Sequence, residues 1–232
     1  MDYCSTAKKS VQQPAINQAA LEFHGCATIH VDDVYDPKFS QRLLAIACRL
    51  GTPTPTRSHS GICDLLSPTE AAKARPHSLS KLYATGELPL HTDNAHWLTP
   101  CHYIMLACIS PGKSDRATLL MDKHRLPLNH RQSLLLHSAP LRVTNGRNSF
   151  FSTILSKSRP FVRFDPGCMT ASSPDGVEAL GMFSRHNWPN YIQQCNWESG
   201  TVLVLDNWRM LHGRAEAAAP DLDRKILRIS IR

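Results

Sequence analysis

Long apolar runs and charged residues are both scarce in this sequence. No hydrophobic stretch approaches the roughly 18 residues needed to cross a membrane, and the start, MDYCSTAKKSVQQP, lacks the apolar segment of a secretory signal. Charged residues make up 19% of the chain and aromatic residues 7%, whereas hydrophobic residues reach 42%. This composition is typical of globular proteins and not of disordered ones. We therefore expect a soluble, cytoplasmic protein with no membrane partner.

The positive charge of the chain is spread out. Lysine and arginine number 26 against 19 acidic residues, which gives a net charge of +7. No run of lysine and arginine is longer than two residues, and no aromatic residues alternate with basic ones as on a nucleic-acid-binding face. We therefore expect no nucleic-acid partner. The arginines near the C-terminus suit a small anionic ligand, with a mildly basic surface as the alternative interpretation.

The eight cysteines form no CxxC motif, and several lie within apolar stretches. In an intracellular chain of this length, reduced and buried thiols are the expected state. The 232 residues contain no internal repeat and no low-complexity linker. We therefore expect one domain over residues 1–232, with a flexible polar segment at 1–18.

Short segments rich in branched and aromatic residues dominate the predicted secondary structure. The predicted strands are 24–31, 102–109, 117–121, 160–164, 201–206 and 226–231. The predicted helices are 36–51, with Asp36 as its N-cap, 127–137 and 175–187. The segment 52–78 is rich in threonine, serine and proline, which predicts a long loop or lid. Together these elements indicate a mainly β fold, a jelly roll with peripheral helices.

Two histidines and an aspartate stand out as candidate metal ligands. His91 and Asp93 are two residues apart, so in an extended segment both side chains project to the same face. Alone, this HxD pattern is a weak signal. His212 follows the apolar segment 201–206 and lies 119 residues after Asp93. Neighbouring strands of a jelly roll would bring it beside the first two, forming a two-histidine, one-carboxylate site that holds Fe(II) and leaves positions open for a co-substrate and O₂.

An arginine pair and a threonine suggest that the co-substrate carries a carboxylate group. Arg224 lies 12 residues after His212, and Arg228 lies four residues further along the predicted C-terminal strand. A planar guanidinium is suited to bidentate binding of a carboxylate. Thr118 could add a hydroxyl group from a neighbouring strand.

These blocks, HTDNAHWLTPCHYIMLACISPG with ATLLMD, and LDNWRMLHGR with DRKILR, resemble those of the taurine dioxygenase and clavaminate synthase-like superfamily of Fe(II)- and 2-oxoglutarate-dependent oxygenases. The threonine 27 residues after the first histidine and the RxxxR pair follow the family order. The fold implied is a double-stranded β-helix. In two respects the chain departs from the family pattern. Arg116 and Ala117 precede the threonine, where the family often has two glycines. The chain is also short for the family, so we expect shortened lid and substrate-binding insertions.

The resemblance implies a role for each motif residue. His91, Asp93 and His212 would bind iron and form the catalytic centre. Arg224 would bind the distal carboxylate of 2-oxoglutarate with Thr118 beside it. A separate role is implied for Arg228, which would approach the 1-carboxylate of 2-oxoglutarate or a substrate anion.

The activity implied is oxidation, most readily hydroxylation, of an aliphatic C–H bond, coupled with O₂ to decarboxylation of 2-oxoglutarate to succinate. Desaturation by the same chemistry is an alternative, whereas the metal carboxylate Asp93 argues against halogenation. We expect a small polar substrate, amino-acid-like or a natural-product intermediate. The candidate substrate-binding residues are Tyr83, Asn94, Trp97 and Asp165.

Each of these four residues also has a structural interpretation. Asn94 is equally compatible with a plain turn amide, the two aromatic residues with core packing, and Asp165 with a turn before Pro166. Two other classes of protein remain as alternatives. One is a zinc hydrolase or isomerase using the same ligands, which gives the arginine pair no role. The other is a jelly roll that binds 2-oxoglutarate or a metal without turnover.

Overall fold

Most of the apolar segments become central strands that are covered on both faces. The computed structural model describes residues 14–57, 60–74, 78–114, 116–146, 148–183, 185–217 and 221–232. Within them the elements follow in the order α1 (Gln18–His24), β1 (Cys26–His30), α2 (Phe39–Ala47), β2 (Pro53–Thr54), β3 (Cys63–Leu66), α3 (Leu79–Tyr83), β4 (Leu88–His91), β5 (Tyr103–Ser110), β6 (Thr118–Asp122), α4 (His130–Ser138), β7 (Leu141–Asn145), β8 (Asn148–Ser152), β9 (Met169–Ala171), α5 (Pro174–Gly181), β10 (Ile192–Cys195), β11 (Thr201–Asp206), β12 (Met210–Arg214) and β13 (Lys225–Ile231).

The strands form three antiparallel sheets. The larger sheet has the order β1-β11-β5-β13-β2, with β3 also paired to β13. The second sheet has the order β10-β6-β12-β4, and a small third sheet has the order β8-β7-β9. This mainly β arrangement confirms the predicted fold class, a jelly-roll core with peripheral helices.

Strand β5 shows how the larger sheet buries both faces. Met105 and Ala107 belong to one core cluster with the apolar side of α2. Ile104 and Leu106 point the other way and pack between the two larger sheets, because successive side chains of a strand alternate between its faces. The inner face of this sandwich also holds Arg228, which lies two residues after the inward-facing Ile226. The space between the sheets is therefore where inward polar side chains meet.

The strand predicted at 160–164 does not form, and this prediction is wrong. The backbone groups of this segment bond to three different partners instead of one neighbouring strand. Val162 N–H donates to Trp208 C=O, Arg163 N–H donates to Ile154 C=O, and Phe164 C=O accepts from Thr92 N–H. The segment is buried, which agrees with its apolar side chains. Burial alone, however, does not produce hydrogen-bond pairing with a neighbouring strand.

The first predicted helix begins two residues later than its sequence suggests. Asp36 accepts a hydrogen bond from the backbone N–H of Lys38, but α2 starts at Phe39 and its N-cap is Lys38. The predicted apolar face is confirmed, since Phe39, Leu43 and Ala47 are buried. The other two predicted helices correspond to α4 and α5. Helix α1 and the small third sheet were not predicted.

The segment 52–78, predicted to be a long loop or lid, contains two short strands. Both β2 and β3 pair with β13 at the edge of the larger sheet. In this register Asp64 lies directly opposite Arg228. Part of the predicted loop is thus attached to the strand that carries one of the candidate site residues.

Three other predictions concern the chain as a whole. The seven described cysteines are free thiols, but only Cys101 and Cys108 are buried and Cys48 is exposed, so the predicted burial holds for two of them; Cys4 lies outside the described residues. Of the segment 1–18, residues 1–13 also lie outside them, and α1 begins at Gln18 with Asn17 as its N-cap. Among the described residues, no helix is both long enough and apolar enough to cross a membrane.

Candidate active site

Two neighbouring strands of the second sheet bring the candidate histidines together. His91 ends β4, and His212 lies directly opposite it on β12. The close approach of β12 to β4 requires a glycine next to His212, because a Cβ atom at Gly213 would lie 2.7 Å from the carbonyl oxygen of Leu88. Asp93 follows β4 by two residues, so its carboxylate reaches the same side as His91.

The three side chains form a compact and buried cluster. One ligand atom from each of His91, Asp93 and His212 lies within 4.8 Å of the others. The Nε2 atoms of the two histidines lie 3.6 Å and 3.8 Å from the Asp93 carboxylate oxygens. No other group of three potential ligands is present in the described part of the chain. The structure therefore brings together the three residues that the sequence indicated.

Hydrogen bonding leaves the metal-binding nitrogen of His91 available. Its Nδ1 lies 2.9 Å from the Pro89 carbonyl oxygen, and only a protonated Nδ1 can donate to that oxygen. The lone pair is then on Nε2, the atom that faces Asp93. Burial, together with the neighbouring His91, lowers the pKa of His212 to about 3. His212 is therefore neutral at physiological pH, the form in which histidine binds metals.

Asp93 completes the donor set as a carboxylate. Burial would raise the pKa of Asp93, but the charge of Arg228 holds it well below its usual range. Two imidazole nitrogens and one hard oxygen on one face suit a non-haem Fe(II) ion. The residues present therefore fit the metal that the sequence blocks imply.

Asn207 holds the Asp93 backbone and was not among the predicted site residues, although it lies within the LDNWRMLHGR block. Its side-chain oxygen accepts from Asp93 N–H at 2.9 Å. The amide nitrogen donates to the carbonyl oxygens of Asp93 and Cys101, at 3.0 and 2.8 Å. Since Asn207 is completely buried, water cannot substitute for these bonds.

Replacing Asn207 with alanine is expected to lower the free energy of unfolding by about 2–4 kcal/mol, because three buried backbone groups lose their partner. Chemical denaturation of the metal-free protein measures this loss. Iron affinity should fall as well, since Asp93 loses its fixed position. A variant that unfolds at the same denaturant concentration as the original protein would contradict this role. As a control, Asn187→Ala removes an exposed amide that bonds Gly181.

Arg228 contacts the metal carboxylate directly. Its Nη1 lies 3.2 Å and 3.1 Å from the two oxygens of Asp93, and its Nη2 donates to Asp64 at 3.0 Å. Asp64 also accepts from Thr56 Oγ1 at 2.6 Å. The sequence did not single out Asp64, and the pairing of β3 with β13 is what places it there. Arg228 thus links the metal centre to the edge strand of the 52–78 segment.

Arg224 and Thr118 lie together on a second side of the same space. Trp197 connects them, because its Nε1–H donates to Thr118 Oγ1 at 3.0 Å and its ring lies 5.9 Å from the Arg224 guanidinium carbon. Arg224 is buried, and its guanidinium donates to the Arg116 carbonyl. Burial lowers the pKa of Arg224. A buried guanidinium without a carboxylate partner among the described residues is a suitable anion site.

Asp165 lies on the metal side of the site, because the residues just before it are hydrogen-bonded to the HxD segment. Thr92 bonds both Val162 and Phe164, which places Asp165 near His91 and Asp93. Burial and the charge of Asp93 raise the pKa of Asp165, despite the opposing effect of His91. One of its oxygens accepts from Gly167 N–H at 2.7 Å, in the turn that the alternative interpretation anticipated.

Tyr83 belongs to the same region. Burial and the nearby Asp165 raise the pKa of its hydroxyl group. The tyrosine ends α3 and is partly buried, so it lies on the side of the site that Asp165 occupies.

The other two substrate candidates have different positions. The side-chain oxygen of Asn94 accepts from Cys101 Sγ at 3.0 Å and from Ser230 Oγ at 3.4 Å. This amide stabilises a left-handed turn (φ 57°), which is its structural interpretation. Trp97 packs on the core between the sheets, and its ring lies 4.6 Å from the Arg232 guanidinium carbon. In this structure Asn94 therefore makes turn hydrogen bonds and Trp97 packs on the core.

Comparison with known proteins gives one family match. Residues 122–230 match the family described as "Taurine catabolism dioxygenase TauD, TfdA family". This region contains His212, Arg224 and Arg228, whereas His91, Asp93 and Thr118 precede it. None of the curated protein sequences matches this chain.

Solved structures resemble the chain over most of its length. An asparagine oxygenase in complex with Fe(II), 2S,3S-3-hydroxyasparagine and succinate has a TM-score of 0.73 and 16% identity, covering 89% of this chain and 74% of that one. The non-heme iron oxygenase OrfP with Fe and alpha-ketoglutaric acid has a TM-score of 0.69 and 17% identity, over 90% and 75% of the two chains. PvcB, an Fe, alpha-ketoglutarate dependent oxygenase from an isonitrile synthetic pathway, has a TM-score of 0.66 and 18% identity, over 93% and 78%. At these identities the likeness establishes the fold.

Proposed function

We propose that the chain is a member of the TauD-like superfamily and an Fe(II)- and 2-oxoglutarate-dependent oxygenase, a proposal that the family match over residues 122–230 and the fold support. The proposed reaction couples decarboxylation of 2-oxoglutarate to succinate with hydroxylation of an aliphatic C–H bond in a small, amino-acid-like substrate. One observation supports it above all: the buried His91–Asp93–His212 cluster shares the space between the sheets with a buried arginine that lacks a carboxylate partner among the described residues.

The metal would be held by His91, Asp93 and His212. Bound Fe(II) supplies the activation of O₂ that C–H oxidation requires, and the protein contributes position and electrostatics. His91 and His212 provide neutral nitrogens, and Asp93 provides a fixed carboxylate. Arg228 keeps that carboxylate ionised through direct contact.

The co-substrate would be oriented by Arg224 and Thr118. Arg224 offers a buried cation for the distal carboxylate of 2-oxoglutarate, and charge-assisted bonds of this kind are stronger than neutral ones. The Trp197 indole fixes the Thr118 hydroxyl by donating to its oxygen, which directs the hydroxyl hydrogen toward another acceptor. A zinc hydrolase would have no use for this second site.

The substrate would carry a carboxylate and an amine. Arg228 Nε is buried without a partner, so this guanidinium keeps a donor for a carboxylate close to the metal. Asp165 is the matching acid for an ammonium group, whose positive charge would offset the cost of ionising a buried carboxyl group. The asparagine oxygenase and OrfP structures contain hydroxylated asparagine and arginine, which agrees with an amino-acid-like substrate. Desaturation of such a substrate is the alternative outcome.

Succinate release tests the proposal. The iron-loaded protein should form succinate slowly from 2-oxoglutarate and O₂, and an amino acid that fits the site should accelerate this release about tenfold or more. A panel of free amino acids and small carboxylates supplies the candidates. In Asp165→Asn, the slow basal release should persist and the acceleration should be lost.

Two results would contradict parts of the proposal. Absence of succinate formation by the iron-loaded protein under every condition would contradict the oxygenase assignment and favour binding without turnover. Acceleration only by a large neutral or lipid-like compound would contradict the amino-acid-like substrate and leave the oxygenase assignment in place.

A further inference from the structure

Three arginines from different elements lie close to one another at the Thr118 side of the site. Arg224 precedes β13, Arg214 ends β12, and Arg116 lies two residues before β6. Arg116 is 3% exposed and Arg224 is 5% exposed. Burial lowers the pKa of Arg214 to about 10, and the charges of Arg116 and Arg224 add to this effect. The three guanidinium groups therefore repel one another in a buried region.

Arg214 uses its donors on the protein itself. Its Nε and Nη2 donate to the carbonyl oxygens of Gly86, at 2.9 and 2.6 Å, and Nη2 also reaches Ala84 at 2.8 Å. This arginine is therefore a structural element that fixes the turn 84–86 before β4. It is not the residue with spare donors for a ligand.

Arg116 has spare donors. Its Nη1 donates to Thr85 C=O at 2.6 Å, whereas its Nε is buried without a hydrogen-bond partner. The backbone carbonyl of the same residue accepts from the Arg224 guanidinium. The Arg116 side chain bonds the same turn, 84–86, that Arg214 holds, and Arg214 lies directly opposite Thr118 across β12 and β6. The unpartnered donor therefore lies in the neighbourhood of Thr118 and Arg224.

Among the described residues, the acidic side chains whose charges act on Arg116 are Asp221 and Glu216, and neither forms an ion pair with one of the three arginines. Asp221 is buried, but its carboxylate accepts from the Ser114 backbone N–H at 2.8 Å and from the Ser114 hydroxyl at 2.7 Å. Glu216 is exposed to solvent. A buried cation with an unpaired donor is costly unless an anion joins it. The charge of the cluster thus calls for a bound anion.

We propose that Arg116 is a second guanidinium for the distal carboxylate of the 2-oxo acid, acting beside Arg224, and that it restricts the co-substrate to dicarboxylic 2-oxo acids. This inference rests on the proposed function. The guanidinium groups of Arg116 and Arg224 at one end of the pocket favour a ligand with a negative charge at that end. They also penalise a ligand without one, because the guanidinium groups then remain desolvated and unpaired.

A comparison of two ligands in two proteins isolates this effect. Isothermal titration calorimetry on the Mn(II)-loaded protein without O₂ measures binding of 2-oxoglutarate and of 2-oxopentanoate, which has the same chain length but lacks the distal carboxylate. Arg116→Gln should weaken 2-oxoglutarate binding about 10- to 100-fold, the loss expected for one charge-assisted bond. Binding of 2-oxopentanoate should change by less than about threefold, so the preference between the ligands should fall by the same factor.

Controls separate a direct contact from a structural role. Arg159→Gln removes another partly buried arginine, one that bonds Ser152 and Thr153, and should leave the ligand preference unchanged. If Arg116→Gln does not fold, Arg116→Lys gives the same comparison, with an expected loss of preference of about 3- to 10-fold because lysine keeps the charge but not the planar donors.

Either of two results with the Arg116 variants would overturn the inference. Equal weakening of both ligands would show that Arg116 only supports the fold, and unchanged binding would show that it contributes nothing. Failure of the original Mn(II)-loaded protein to bind 2-oxoglutarate would instead overturn the proposed function on which the inference rests.

Discussion

Replacement of His212 by alanine is expected to abolish succinate formation and to weaken Fe(II) binding more than about 100-fold, since even the partners that merely orient a metal ligand are worth 10–100-fold. The side chain is 5% exposed and lies directly opposite His91 across two strands. Alanine leaves only two protein ligands and a buried gap. Equilibrium metal binding and succinate release with excess 2-oxoglutarate measure the two effects.

His137→Ala is the matched control for this experiment. His137 lies on α4 and bonds Ser133 C=O within its own helix. This variant should bind iron and form succinate like the original protein. Full succinate formation by His212→Ala would mean that the metal site has been assigned to the wrong residues.

Replacement of Arg224 by glutamine should raise the apparent KM for 2-oxoglutarate by a factor that corresponds to about 2–5 kcal/mol, the cost of leaving one member of a buried charged pair without its partner. Iron binding should be retained, because Arg224 contacts none of the metal ligands by hydrogen bond or ion pair among the described residues. Steady-state succinate formation at varied 2-oxoglutarate concentration gives the KM.

Arg209→Gln distinguishes this effect from a general loss of stability. Arg209 pairs with the buried Asp122 at 2.5 Å and holds carbonyl groups of α1. Its loss should lower the melting temperature without changing the KM for 2-oxoglutarate. An unchanged KM in Arg224→Gln would transfer the role to Arg228 or Arg116.

The sequence predicts the strands of this fold best where their apolar runs are long. Segments 102–109 and 201–206 are buried on both faces, and both appear as central strands. Segment 160–164 is also largely buried, but it has no neighbouring strand. Its backbone bonds are made with residues such as Thr92 and Trp208, and only the folded chain shows that these residues are nearby. Composition predicts burial, whereas pairing depends on contacts distant in sequence.

The same distinction applies to the candidate site. His91 and Asp93 were predicted from their two-residue spacing, and His212 from its position after the predicted strand 201–206. Both signals can be read from short segments of the sequence. Trp197 gave no signal, since its contact with Thr118 spans 79 residues and depends on the pairing of β10 with β6. Arg116 was visible only as a departure from the family pattern, and its spare donor became apparent from its surroundings.

The direct opposition of His91 and His212 across β4 and β12 has a thermodynamic consequence. A cation bound to both side chains cross-links positions 121 residues apart in the sequence, and the unfolded chain offers no such preformed site. Binding to the native state alone stabilises a protein by about 2.7 kcal/mol when the free ion reaches 100 times its dissociation constant. If these residues hold a metal as proposed, its supply would raise the conformational stability of the chain, and the β4–β12 contact is where that coupling would act.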